Sequence, residues 1–351
     1  MKKVVGPDVR VRASESSERP AFASLYAVAG RFISIESTDP YCADLFRNYF
    51  SGWHVEPVAA HASEVRPQAK IWVTATAVPP ASPTHLEAFE VAEGGTCRTD
   101  HQTYFFESNG SAIRADSNSS QQVEVWIGNT PEAREPAALA RLIFNASMTA
   151  MRRCGLFELH GAGVVAPDNN GMLIIGPSGS AKSTLATQLA ASGWQYLSDD
   201  KLLLHVDNNV VHARALRRVF ALAASAFSSN LMSNFDSMTT APLPFDPVKR
   251  RFEPQAVFPE KFVETCVPRT LFFSRITNAS QSQTQQLTHS ETMARLIRMC
   301  PWACYDKPVA HLHLRALGQM ARQAKGYELR AGTDLLGDPV YASAFLQAAR
   351  S

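Results

Sequence analysis

Apolar residues along this chain fall into short blocks whose rhythm changes near residue 130. Ile71 to Val78, Thr103 to Phe106 and Gln122 to Ile127 are strand-length runs bounded by turn formers. Pro79-Pro80-Ala81-Ser82-Pro83 forces an irregular connection, and Asp116-Ser117-Asn118-Ser119-Ser120 reads as a turn. Then the spacing lengthens. Leu139, Leu142, Ile143 and Ala146 recur at helical intervals until Gly155. Thr130 can cap that helix with Pro131 in its first turn, and Glu132 and Glu135 suit its positive end. The stripe reads as core that packs the N-terminal region against the sheet of the second half.

Beyond it, Met172-Leu173-Ile174-Ile175 predicts a buried strand and Thr184 to Ala191 a helix, which Gly193 stops. Trp194 to Leu197 predicts a short strand that delivers Ser198-Asp199-Asp200. Val309, Leu312 and Leu314 alternate with His311 and His313 and read as strand. The polar stretch 278–288 reads as an exposed turn between strands.

Between the buried strand and the helix stands Gly176-Pro177-Ser178-Gly179-Ser180-Ala181-Lys182-Ser183-Thr184. Small residues let backbone N–H groups close around a polyphosphate, and a helix N-terminus aims its positive end at the same charge. In such a loop Lys182 reaches the β- and γ-phosphates, and the Ser183 hydroxyl holds Mg²⁺. Ala181 occupies the place of an expected glycine, which a methyl group tolerates if the backbone there needs no positive φ or if the loop shifts slightly. The plain alternative is a Gly/Ser-rich turn, but strand before and helix after are the confirming context.

Asp199-Asp200 follows seventeen residues after Lys182. A strand leaving this unit is expected to pair beside the first, so that its end emerges next to the loop. Paired carboxylates there serve a metal ion and accept a proton from an attacking hydroxyl. An acidic turn at a strand end is the alternative.

Length and composition narrow the setting. A chain of 351 residues predicts two domains, and 45% hydrophobic residues suffice for packed cores. A net charge of +2 gives no ground for a nucleic-acid or anionic-membrane partner. No apolar run approaches the roughly 20 residues of a membrane span. The first residues lack a signal-peptide core, so the expected compartment is cytoplasmic. Cys42, Cys97, Cys154, Cys266, Cys300 and Cys304 are dispersed without a disulfide rhythm. Cys300 and Cys304 near His311 and His313 raise zinc, but a helical pair facing a strand-like pair is poor ligand spacing.

Together, His160-Gly161, the apolar strand, the Gly176–Thr184 loop, Gly193 and Asp199-Asp200 resemble the catalytic core of HPr kinase/phosphorylase over roughly residues 152–275. His160 lies sixteen residues before Gly176, and the Asp pair keeps the family's distance from Lys182. The resemblance implies an α/β fold. A P-loop kinase domain of HPr kinase/PEP carboxykinase-like type would cover 129–351, beside a smaller sheet-rich α+β domain over 1–128. It further implies ATP and Mg²⁺ as cofactors, with Gly176 to Thr184 binding phosphate and Ser183 and Asp199 serving the metal. Asp200 would act as general base and His160 would line the site near the transferred phosphoryl group. Relatives assemble into rings, which implies a homo-oligomer.

The chain departs from the bifunctional members. Where they carry Glu-Ile-Arg-Gly it reads Leu216-Arg217-Arg218-Val219, and no Glu occurs between Lys201 and Phe252. What remains resembles the related kinases of peptide biosynthesis, including those acting on lasso-peptide precursors. Lys249-Arg250-Arg251-Phe252 is read as a phosphate or acidic-substrate clamp or as a solvated run, and Arg217 and Arg218 likewise. The preferred function is a kinase for a Ser or Thr hydroxyl of a peptide or small protein. An HPr-type kinase/phosphorylase, a switch or motor ATPase and a non-catalytic nucleotide sensor are the alternatives. No Leu-Ser-Gly-Gly-Gln signature supports a motor, and retention of both aspartates weighs against a bare sensor.

Overall fold

The computed structural model describes residues 20–59, 65–91, 94–117, 121–223, 240–243 and 246–350. Its first half is one mixed sheet. The strands are β1 (Phe22–Val28), β2 (Arg31–Ser37), β3 (Glu56–Val58), β4 (Ala69–Thr76), β5 (Glu87–Glu90), β6 (Thr96–Thr99), β7 (Thr103–Ser108), β8 (Ser111–Asp116) and β9 (Gln122–Gly128). They lie in the order β3-β1-β2-β4-β9-β8-β7-β6-β5, with β4 parallel to both β2 and β9. Two helices serve this sheet, α1 (Pro40–Phe50) and, after the short α2 (Pro131–Arg134), α3 (Pro136–Arg153). Thr130 caps only α2. Glu135 then caps α3 afresh, its carboxylate accepting from Ala138 N at 2.9 Å, with Pro136 at the first helical position.

The apolar stripe of α3 binds the halves together. Leu139, Leu142, Ile143 and Ala146 share one core with Ile71, Val73 and Val125 of the first sheet and with Leu203, Leu216 and Trp302 of the second half. Beneath them Arg152, fully buried, meets Glu158 at 2.5 Å and Asp306 at 2.7 Å. A buried cation so placed requires both carboxylates, because an unpaired charge in this interior would be costly.

The second sheet is built from β10 (Phe157–Val165), β11 (Gly171–Ile175), β12 (Gln195–Ser198), β13 (Lys201–Asp207) and β14 (Val210–Ala215), joined by β18 (Thr265–Cys266), β19 (Pro268–Ile276), β20 (Gln283–Gln286) and β21 (Lys325–Ala331). A small separate sheet holds β15 (Phe220–Ala223), β16 (Thr240–Leu243) and β17 (Asp246–Phe252). The large sheet runs β18-β14-β13-β10-β11-β19-β21-β20, with β12 also on β10. Strand alternation sorts its two faces. Met172 and Ile174 pack under α4 (Lys182–Ala191), α9 (Thr333–Gly337) and α10 (Pro339–Ala348), whereas Leu173 and Ile175 pack under α6 (His289–Met299) and α8 (Ala310–Gln323). The remaining helices, α5 (Pro254–Val257) and α7 (Trp302–Tyr305), are single turns.

Three local expectations change. His311 and His313 lie on α8, not on a strand. Three alternating apolar residues are too few to set a period, and Ala316, Leu317, Met320 and Ala321 continue a helical stripe that buries against the sheet. Gln283–Gln286 is an edge strand on β21, so only part of the polar stretch is turn. And β12 pairs with β10 in antiparallel sense, not with β11. Because β10 is itself antiparallel to β11, β12 still runs in the direction of β11 and its end arrives on the same side.

Candidate active site

At the end of β11 the chain turns into the Gly176–Thr184 loop under tight steric control. A Cβ on Gly176 would stand 2.4 Å from Ser180 Oγ and 2.6 Å from the Ser274 carbonyl, so no side chain fits there. Ser274, on the parallel neighbour β19, donates to the Ser180 carbonyl at 2.9 Å and pins the loop to the sheet. Its role has no signal in the sequence. Gly179 adopts φ +79°, and Ala181 adopts φ +73°, ψ 7° as the N-cap of α4. The alanine therefore does sit in the left-handed region, so the first of the two conditions for a methyl group there is not met. The absent glycine is replaced by a residue held under strain.

Lys182 is the first residue of α4, and its Nζ folds back to donate to the Pro177 carbonyl at 2.8 Å. It is 5% exposed, and burial pushes its pKa down to about 8. Ser183 Oγ donates to the Asp199 carbonyl at 3.4 Å, which joins the helix start to the end of β12.

The two aspartates occupy opposite environments. Asp199 is fully enclosed. Its Oδ2 accepts from Ala221 N at 2.9 Å, and among the described residues its Oδ1 is buried with no hydrogen-bond partner. Burial, with the charge of Asp200 alongside, pushes its carboxyl up to about 7. Asp200 is half-buried and ringed by donors. His160 Nε2 lies 2.8 Å from Oδ1 and Arg217 Nη1 2.8 Å from Oδ2. Burial opposes its charge, but the His160 N–H and the Arg217 guanidinium together hold it well below the usual carboxylate range. His160 itself is held below its ordinary value by burial. Two registers bring this about: His160 lies opposite Lys201, and Gly161 N donates to the Asp200 carbonyl at 2.9 Å.

Arg217 is drawn into the site while Arg218 is not. Arg218 donates to the Trp53 carbonyl at 2.6 Å and pairs with Glu56, both in the first half. The same contact region fixes Arg217: His54 N donates to the Leu216 carbonyl at 2.7 Å, and Arg218 N to that of Gly52 at 3.0 Å. So the first half aims a cation at the acidic pair. Lys249 of the Lys249-Arg250-Arg251-Phe252 run reaches the same cleft.

That cleft has a volume of about 370 Å³ and is lined by His160, Lys182, Ser183, Asp200, Leu222 and Lys249. A larger hollow of about 730 Å³ lies beside β1 and β3, where the Arg218–Glu56 pair closes one wall. Cys300 and Cys304 form no cluster with His311 or His313: among the described residues no group of three or more such side chains is placed to hold a metal. Among the same residues no helix is long and apolar enough to cross a membrane.

A metal with hard-oxygen preference fits one position. The unpartnered Asp199 Oδ1 and the Ser183 hydroxyl are oxygen donors on adjoining elements, the ligand type that Mg²⁺ takes.

No family model and no curated protein matches this chain. Among solved structures it is similar to the Hpr(Ser) kinase/phosphatase from Coxiella burnetii, over 55% of this chain and 95% of that one, at 12% identity and a TM-score of 0.29. The protein is a mixed α/β chain with two large sheets and a distant structural likeness to that kinase, too slight a likeness to carry its function across.

Proposed function

We propose that this protein is an ATP- and Mg²⁺-dependent kinase that moves the γ-phosphoryl group to a Ser or Thr hydroxyl of a peptide or protein. The observation that carries the reading is the convergence of the Gly176–Thr184 loop, Asp199 and the His160–Asp200–Arg217 cluster at one cleft. In this reading the loop amides and the first turn of α4 receive the phosphates, and Lys182 swings from Pro177 to the β- and γ-oxygens. Ser183 and Asp199 would hold Mg²⁺, which when bound neutralises charge on the phosphoryl oxygens.

Asp200 takes the proton. Each of its oxygens already accepts one hydrogen bond and retains a second lone pair for the acceptor hydroxyl. The acceptor O–H bond breaks toward that oxygen, a new O–P bond forms, and the bond from the γ-phosphorus to the bridging oxygen breaks, leaving ADP. His160 orients the carboxylate and shares the proton with it, so the two titrate as a pair. Arg217 keeps the pair from gathering negative charge before transfer.

The lasso-type precursor implied by the sequence resemblance is the first acceptor to try. Full-length protein, γ-labelled ATP and Mg²⁺ should give phosphoserine or phosphothreonine on the peptide in excess of free phosphate. Lys182→Met, which keeps the buried volume, should abolish transfer and weaken nucleotide binding. Release of phosphate without peptide labelling would mark a switch or motor ATPase, and binding with neither would mark a nucleotide sensor. Added inorganic phosphate should not reverse the product, since the Glu of bifunctional relatives has no counterpart in 201–252.

A further inference from the structure

Behind Asp200, where the two halves meet, lies a second hollow of about 320 Å³. Tyr49 of α1, Arg141, Phe144 and Asn145 of α3, and Lys201 and Arg217 of the second half line it. Three of these six side chains are cations. Arg217 already meets Asp200. Lys201 rests its Nζ 5.3 Å over the Phe144 ring, and among the described residues neither it nor Arg141 forms an ion pair.

Two polar groups in this wall are left unmet. Among the described residues Arg141 Nε is buried without a partner, and so is Oδ1 of Asn145, a side chain only 3% exposed. Buried groups of this kind are normally satisfied, so unmet ones on two residues that line a hollow point to a missing partner. The hollow is lined by two guanidiniums, an ammonium and two aromatic rings, a set complementary to a carboxylate on a short apolar stem.

Arg217 ties this hollow to the chemistry, because it lines the hollow and touches the group that takes the proton. We propose that the hollow is a subsite for a carboxylate of the acceptor peptide near its Ser or Thr hydroxyl, read by Arg141, Lys201 and Arg217. That the bound peptide is a phosphoryl acceptor rests on the kinase reading, whereas the anion subsite does not. An acidic side chain and the C-terminal carboxylate of the peptide share this chemistry.

The test uses full-length protein and fluorescein-labelled heptapeptides containing one serine. One carries aspartates after the serine, a twin carries asparagines, and a neutral pair ends in a free carboxylate or an amide. Anisotropy without nucleotide should show the carboxylate-bearing member of one pair binding about tenfold tighter than its twin. The pair that responds identifies the source of the carboxylate. Arg141→Gln should remove the preference, Arg141→Lys should keep most of it, and Lys201→Gln should reduce it independently should the first variant not fold. Equal affinity within both pairs, or a preference unchanged in folded Arg141→Gln and Lys201→Gln, overturns the subsite. Preference without transfer to any peptide keeps the subsite and removes the kinase reading. Transfer without preference does the reverse.

Discussion

His160 Nε2 lies 2.8 Å from Asp200 Oδ1, while the other oxygen of the same carboxylate is held by Arg217. The histidine comes from a central strand of the second sheet, and the arginine from a segment that the first half grips at Gly52 to His54. One carboxylate thus reports on the fold of both halves.

Asp200→Asn should separate chemistry from binding. The amide keeps size and one acceptor but takes no proton. Transfer should fall roughly 10²–10⁴-fold, the usual range for a general base, with nucleotide affinity within a few-fold of wild type. His160→Gln should cost less, because it keeps a donor for Asp200. Single-turnover transfer beside a fluorescent-nucleotide titration measures both. Undiminished transfer by Asp200→Asn would remove the base assignment.

Ala181→Gly should relieve the loop. A non-glycine residue at φ +73° costs about 1 kcal/mol or more, and glycine recovers it at an entropic cost of roughly 0.5–1 kcal/mol. The net expectation is unchanged to slightly higher stability with nucleotide binding retained. Ala181→Val should destabilise, because a β-branched residue resists this backbone. Urea midpoints decide the matter, and a clearly less stable glycine variant would contradict the strain.

His313 should make the protein acid-sensitive. Its ring stacks on Phe157 at 4.7 Å, both nitrogens are buried without partners, and burial pushes its pKa down to about 3. In the unfolded chain it titrates near about 6.5. As pH falls below that value the unfolded state takes the proton first, so stability declines from about pH 6.5 toward 3, at up to about 1.4 kcal/mol per unit. His54 and His205, each pushed down to about 4 by burial, add to the slope in the same direction. His313→Phe keeps the stack and has nothing to protonate. Its stability should therefore fall less steeply with acid in denaturant titrations at several pH values, and an identical slope would exclude His313 as a source.

The loop and the acidic pair were legible in the sequence because their determinants are local. Glycine at 176 and 179, small residues between them, a buried strand before and a helix after are properties of adjacent residues, as is the turn that Asp199 and Asp200 follow. The α3 stripe was legible for the same reason, since a helix writes its buried face into its own spacing. What lay beyond the sequence were decisions made by distant partners. Lys182 is buried because its side chain bends back to Pro177, not exposed as a loop lysine would be. The strand after α4 joins β10 because β11 already has β19 on its other edge, and direction along the sheet, not adjacency, carries its aspartates to the loop. Of two neighbouring arginines, sequence could not choose. Arg217 faces Asp200 and Arg218 faces Glu56 because successive residues project to opposite sides of an extended chain, and the first half sets which side is which.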